Sequence, residues 1–206
     1  MRRALHADIW FDPSCPYTWI TSRWLLEAAR VRGFEVRWHV LSLSVLNEHR
    51  DDDPEGDPEG YLWLPVRICA AIAEQHGQEA LGRFYTAFGG RVHEGGGDWD
   101  PRTVPDALGE AGLPDDLAEA AETADWDGAV RASHAAGIAK VGEHVGTPII
   151  EATGQDGART AFFGPIVSRV PRGEEAGLLW DGTLLVSAVQ GFHELKGPPH
   201  AEPDYG

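Results

Sequence analysis

The sequence predicts a mixed α/β fold: a four-stranded mixed sheet flanked by helices, with a large helical block inserted between its two halves. Three observations carry this. An alternating run, a helical run and a second alternating run follow one another at the start, which is a βαβ unit. Residues 62–145 then read as almost wholly helical. Two short β runs around Gly154-Gln155-Asp156-Gly157 and one more helix complete the order as ββα. The expected division is residues 1–50 and 146–206 for the sheet-bearing part and 51–145 for the helical insertion.

The elements follow in order. Leu5 to Phe11 alternates and ends apolar, the mark of a central strand. Asp12-Pro13-Ser14 is a turn, and Pro16 suits the first position of a helix because its missing N–H is not needed there. Trp19, Ile20, Trp24, Leu25 and Ala28 recur at helical spacing as far as about Arg32, and Gly33 ends the run. Phe34 to Leu43 predicts the second strand, parallel to the first. An acidic Pro/Gly-rich loop, Asp51 to Gly60, comes next. In the insertion, a helix starts at Leu64 and either continues past Gly77 or gives way to another at Leu81–Phe88; Gly95-Gly96-Gly97 breaks the chain. Further helices are expected over Val104–Ala111, Leu117–Ala121 and Trp126–Val145, with a start signal at Pro114-Asp115-Asp116. Ile149–Thr153 and Arg159–Phe163 are the hairpin strands, Glu174 to about Ala188 the last helix, and Gly197-Pro198-Pro199-His200 an irregular segment.

Composition narrows the function. The formal net charge of -16 repels nucleic acid and anionic membranes. No run approaches the roughly 20 apolar residues of a membrane span. Two arginines open the chain, but no apolar stretch of a secretory leader follows them, so a cytoplasmic location is expected. Two cysteines make no disulfide framework, which suits a reducing compartment. The nine histidines show no zinc spacing, so no metal site is expected. No phosphate loop, dinucleotide fingerprint or nucleophile elbow is present, and no bound cofactor is expected.

Chemistry concentrates at Cys15-Pro16-Tyr17-Thr18. Thr18 stands where a Cys-x-x-Cys motif would place its second thiol, so Cys15 can bond only with an external partner. At a helix start, backbone amides and the helix dipole favour the thiolate, and the Cys15 pKa is expected to fall below about 8.5. The Thr18 hydroxyl can donate to that thiolate. Cys69, among Ile68, Ala70 and Ile72, reads as core. Trp10, Trp24 and Trp38 sit in core-like patterns, whereas Trp19 and Trp63 could line a pocket for a flat substrate.

These motifs, with Thr147-Pro148 before the third strand, resemble the DsbA-like branch of the thioredoxin superfamily. More narrowly, the chain resembles the actinobacterial mycothiol-dependent nitroreductases. The stretches that carry this are Phe11-Asp12-Pro13, Trp19 to Trp24, Val45 to Glu48, Val145 to Pro148, Phe162 to Pro165 and Pro171 to Ala176. Such proteins carry a Cys-Pro-Trp-Cys-like pair; here Tyr17 and Thr18 replace its last two residues. The resemblance implies a thioredoxin fold with a helical insertion and a cis peptide before Pro148. It further implies a monothiol oxidoreductase with Cys15 and Thr18 in the chemistry and Pro16, Tyr17, Trp19, Trp63, Thr147 and Pro148 around the substrate. Mycothiol, or another small thiol, is the implied cosubstrate, and nitro compounds, quinone-like acceptors or mixed disulfides are the implied acceptors. A homodimer is compatible with the sequence. Two alternatives stay open: a glutathione-transferase-kappa-like transferase or isomerase, and a thiol-binding protein without activity.

Overall fold

A computed structural model describes residues 4–52, 54–95 and 102–205 of the 206-residue chain. The arginines at 2 and 3, Asp53 of the acidic loop and Gly96-Gly97 lie outside the described residues.

Strand β1, Ala4–Phe11, buries Ala7, Ile9 and Phe11 completely on one face, while Trp10 is buried on the other against Gly137. Helix α1, Pro16–Arg32, ends where Gly33 turns left-handed (φ 70°) and donates its N–H to the Ala29 carbonyl at 2.7 Å. Strand β2, Glu35–Val40, lies parallel to β1 with Phe11 opposite Val40. Strand β3, Ile149–Gly154, runs antiparallel to β1, and β4, Arg159–Phe163, antiparallel to β3. The sheet order is β2-β1-β3-β4, so β1 is central and the sheet is mixed, as the sequence predicts.

The second strand is shorter than the predicted run to Leu43. The Leu41 N–H still makes the ladder bond to the Phe11 carbonyl (2.9 Å), but just beyond it the Ser42 hydroxyl accepts from the Val45 N–H. That cap starts a short helix, α2 (Leu43–Asn47), which the apolar run concealed. Helix α3, Trp63–Gly89, is two helical stretches joined at a kink where Gly77 takes φ 82°. A π turn, Gly90–Glu94, extends it. Helix α4 is Thr103–Ala111, and the next turn, Asp115–Glu122, is 3-10 rather than α. Helix α5, Asp127–Val141, stops before Gly142, where φ 102° ends the ladder short of the predicted Val145. Helix α6, Gly173–Ser187, packs on α1: Trp24 Nε1 donates to the Ala176 carbonyl, and Arg32 pairs with Glu174 and Asp181.

One continuous apolar cluster joins the sheet, α1 and the insertion. Phe11 stacks on Tyr85 of α3 (4.0 Å between centroids), and Trp24, Phe84 and Phe88 are fully buried with it. This packing fixes the loop between β1 and α1 at the carboxyl ends of β1 and β2.

Candidate active site

Residues 12–15 make a tight turn fixed from both sides by Asp12. Its carboxyl accepts the Ser14 N–H and, from across the sheet, the Leu43 N–H, both at 2.8 Å. Cys15 N–H bonds the Asp12 carbonyl (3.2 Å), and the Cys15 carbonyl accepts the first helical bond, from Trp19 N–H at 3.0 Å. Cys15 is therefore the residue immediately before α1, in extended conformation, with Pro16 at the first helical position.

The facing wall comes from the two residues just before β3. The Thr147–Pro148 peptide is cis, as expected, and the Thr147 side chain is buried. Thr147 Oγ1 accepts from the Asp12 N–H at 3.2 Å and lies 3.2 Å from Thr18 Oγ1. A second cis bond, Gly164–Pro165, sits beside it: Gly164 N–H donates to the Pro148 carbonyl, and Thr21 Oγ1 donates to the Pro165 carbonyl. Cys15, Thr18, Thr147 and Pro148 are thus gathered at one point.

Electrostatics correct one expectation. Burial pushes the Cys15 thiol up, not down. The Thr18 hydroxyl and the amides of Thr18 and Tyr17 pull the other way, while a charge on Asp12 adds to the rise. The helix-start argument names the right stabilising groups but omits the loss of water around the sulfur, and that loss is the larger effect. Asp12, with no exposed surface, is itself pushed up to about 7 by burial, against the pull of its two amide partners.

The aromatic surround differs in part from its sequence reading. Trp19 is only 2% exposed. Its Nε1 donates to Glu94 Oε1 (3.0 Å), its ring stacks on His93, and the Arg23 guanidinium lies 4.0 Å from its ring centre. A Cβ on Gly89 would fall inside that ring, so Trp19 supports the wall from behind. Trp63 lies between the guanidinium groups of Arg67 and Arg131, 5.3 and 5.4 Å from its ring. Tyr17 instead faces residues near the end of the chain: its hydroxyl donates to the Ala201 carbonyl (3.2 Å), and its ring is tilted against His200. Cys69 is fully buried in the core, and neither cysteine is bridged.

Several contributors escaped the sequence reading. Asp12 read only as a turn residue, although Asp-x-Ser at this spacing is a side-chain turn signal. His93, whose Nε2 lies 3.0 Å from the Pro13 carbonyl, and Glu94 reach the site through the π turn, for which the sequence carries no periodic signal. Burial lowers the His93 pKa, against the pull of the Pro13 carbonyl and Glu94. Among the described residues, no three metal-ligating side chains gather in one place, and no helix is long and apolar enough to cross a membrane.

Comparison with known proteins follows the geometry. The family model described as mycothiol-dependent nitroreductase Rv2466c matches residues 14–197. A Mycobacterium tuberculosis protein, Rv2286c, described as uncharacterized, is 28% identical over 194 residues, covering 93% of this chain and 81% of its own. Among solved structures, the cytosolic disulfide reductase DsbM from Pseudomonas aeruginosa superposes with a TM-score of 0.54 at 19% identity, over 88% of this chain and 99% of that one. Its form with GSH gives 0.53 at 18%, over 88% and 100%. At such identity these likenesses show the fold alone, a DsbA-like thioredoxin fold with a helical insertion.

Proposed function

The chain belongs to the Rv2466c-like family of mycothiol-dependent nitroreductases, and on that premise we propose that it is a thiol oxidoreductase working through Cys15 alone. The observation that carries this reading is the juxtaposition of one partly exposed, unbridged cysteine at a helix start with Thr18 and the cis Thr147–Pro148 pair, while Cys69 is sealed in the core.

The cycle is written for a disulfide acceptor. The Cys15 thiolate attacks one acceptor sulfur; the Cys15–S bond forms, the acceptor S–S bond breaks, and the other sulfur leaves as a thiolate that takes a proton. A mycothiol thiolate then attacks the sulfur held by Cys15, releasing Cys15 and a mycothiol mixed disulfide. A second mycothiol reduces that disulfide, so two thiols supply two electrons and leave as mycothiol disulfide. With a nitro acceptor, the same two electrons and two protons convert nitro to nitroso and release water.

In this scheme Thr18 donates to the ionised sulfur, Pro16 withholds a backbone donor beside it, and Thr147 with Pro148 holds the incoming partner. Tyr17 borders the approach, and Trp19 backs His93. The structure of DsbM with GSH offers a precedent for a small thiol on this fold.

Intact-mass measurement tests the reading. Reduced protein incubated with mycothiol disulfide should gain one mycothiol on Cys15, lose it to excess mycothiol, and gain none as Cys15→Ser. Tight binding without an adduct would overturn it in favour of thiol transfer or isomerisation.

A further inference from the structure

Residues 197–205 form neither helix nor strand apart from one isolated bridge, yet they are not loose. The Ala201 carbonyl accepts from two hydroxyls, Tyr17 at 3.2 Å and Ser168 at 3.1 Å. Asp204 N–H donates to the Ser168 carbonyl at 2.6 Å, and Asp204 bridges Arg169 in parallel. At one end the His200 ring meets Tyr17, 5.4 Å between centroids. At the other, the Tyr205 ring lies 6.4 Å from His93 and packs against the core.

Both ring contacts fall on residues that flank Cys15. Tyr17 is two positions along the chain, and His93 is bonded to Pro13 of the same turn. The Tyr205 phenol is pushed up chiefly by burial, then by charge on Cys15, Glu94 and Tyr17, so it stands within electrostatic reach of the sulfur. Apart from Pro203 and Tyr205, this segment is exposed, and side-chain hydroxyls and one isolated bridge are among its anchors. Segments held in this way open at far lower cost than a core element.

We propose that His200–Tyr205 is a strap laid across the approach to Cys15, and that the small thiol or its disulfide enters by displacing it. The inference rests on the monothiol reading above. It adds the gate: His200 rests on Tyr17 and Tyr205 on His93, the two residues that flank the sulfur. Opening the strap restores solvent to the sulfur and eases ionisation.

Alkylation of Cys15 by iodoacetamide, followed by peptide mass, tests the strap without any mycothiol. In the full chain at constant pH, Tyr205→Ala should be alkylated roughly tenfold faster than wild type, the order expected when about one net anchoring interaction is lost. Ser168→Ala, which removes one of the two hydroxyls on the Ala201 carbonyl, should lie between them. Hydrogen exchange at the Asp204 amide should speed up when mycothiol disulfide is added to wild type. Equal alkylation rates in all three proteins, or an Asp204 amide indifferent to the ligand in protein that does form the mycothiol adduct, would overturn the strap. So would a faster rate that tracks a lowered melting temperature, which would make the segment a fixed wall. A protein that forms no mycothiol adduct yet shows the alkylation difference would retain the strap and lose the proposed function. The converse result would do the opposite.

Discussion

Asp12→Asn is the substitution whose effect can be worked furthest from the structure. Asp12 is fully buried, and burial raises its pKa to about 7. Unfolded, the same carboxyl ionises near 3.9. Between these values the folded chain holds a proton that the unfolded chain has released, so stability falls as pH rises through this window and levels off above about 7. Three pH units at 1.36 kcal/mol each make a loss of about 4 kcal/mol, undiscounted because no solvent reaches the group. Asparagine keeps one acceptor oxygen for Ser14 or Leu43 and turns an N–H₂ toward the other amide, a cost of about 1–3 kcal/mol at every pH. The variant should therefore be comparable to or weaker than wild type at pH 4.5 and stronger at pH 8. Its stability relative to wild type should swing by about 3 kcal/mol across that range. Urea unfolding at the two pH values, followed by fluorescence of the eight tryptophans, measures the swing. His93 and His134, both held below their usual pKa mainly by burial, destabilise the fold as pH falls, but they do so in both proteins and cancel in the difference. A difference independent of pH would refute the reasoning, because it would mean that Asp12 is ionised throughout. The same variant removes a charge that pushes the Cys15 thiol up, so at pH 8 its alkylation should be faster.

Two further outcomes follow from the site. Thr18→Cys restores a thiol three residues after Cys15 on the first helical turn and should give a reversible internal disulfide, seen as a loss of two mass units, with general disulfide-reductase activity. A pair that never oxidises would show that position 18 does not face the sulfur. Thr147→Val deprives the buried Asp12 N–H and the Thr18 hydroxyl of their shared partner. It should cost about 1–3 kcal/mol in urea unfolding and slow formation of the mycothiol adduct on Cys15, while Thr147→Ser should restore both.

The fold was legible wherever burial and period agree. β1 and α1 stand where Ile9, Phe11, Trp24 and Leu25 place them, because each of these side chains is sealed in the core. The Pro16 and Gly33 signals fix the ends of α1 to the residue. Misreadings occurred where a backbone bond overrides an apolar pattern. Leu43 looks like strand, yet its N–H is taken by the Asp12 carboxyl instead of a neighbouring strand. At the site, Cys15, Thr18 and Thr147-Pro148 were legible from motif spacing. Asp12, His93 and Tyr205 were not: their contributions depend on contacts across the fold, with His93 and Tyr205 arriving from a π turn and an irregular segment that have no sequence period.

The rise in the Cys15 pKa and the nucleophilic role assigned to it are reconciled by the hydroxyl chain around the sulfur. Thr18 has one proton. With Cys15 as a thiol, that proton is free to go to Thr147, whose oxygen also accepts from the Asp12 N–H. With Cys15 as a thiolate, Thr18 must turn its proton to the sulfur, and Thr147 must turn its own proton to Thr18, leaving the Asp12 N–H to supply Thr147. The donors that stabilise the anion are therefore already in place and need only reverse direction. What opposes ionisation is the loss of water and the negative charge on Asp12. Ligand entry under the strap relieves the first, and protonation of Asp12 near neutral pH relieves the second. On this reading the site keeps a lone cysteine quiet until a disulfide small enough to pass the strap reaches it. Suppressing the first relief, by fixing the strap, should slow the first exchange step without altering which sulfur reacts.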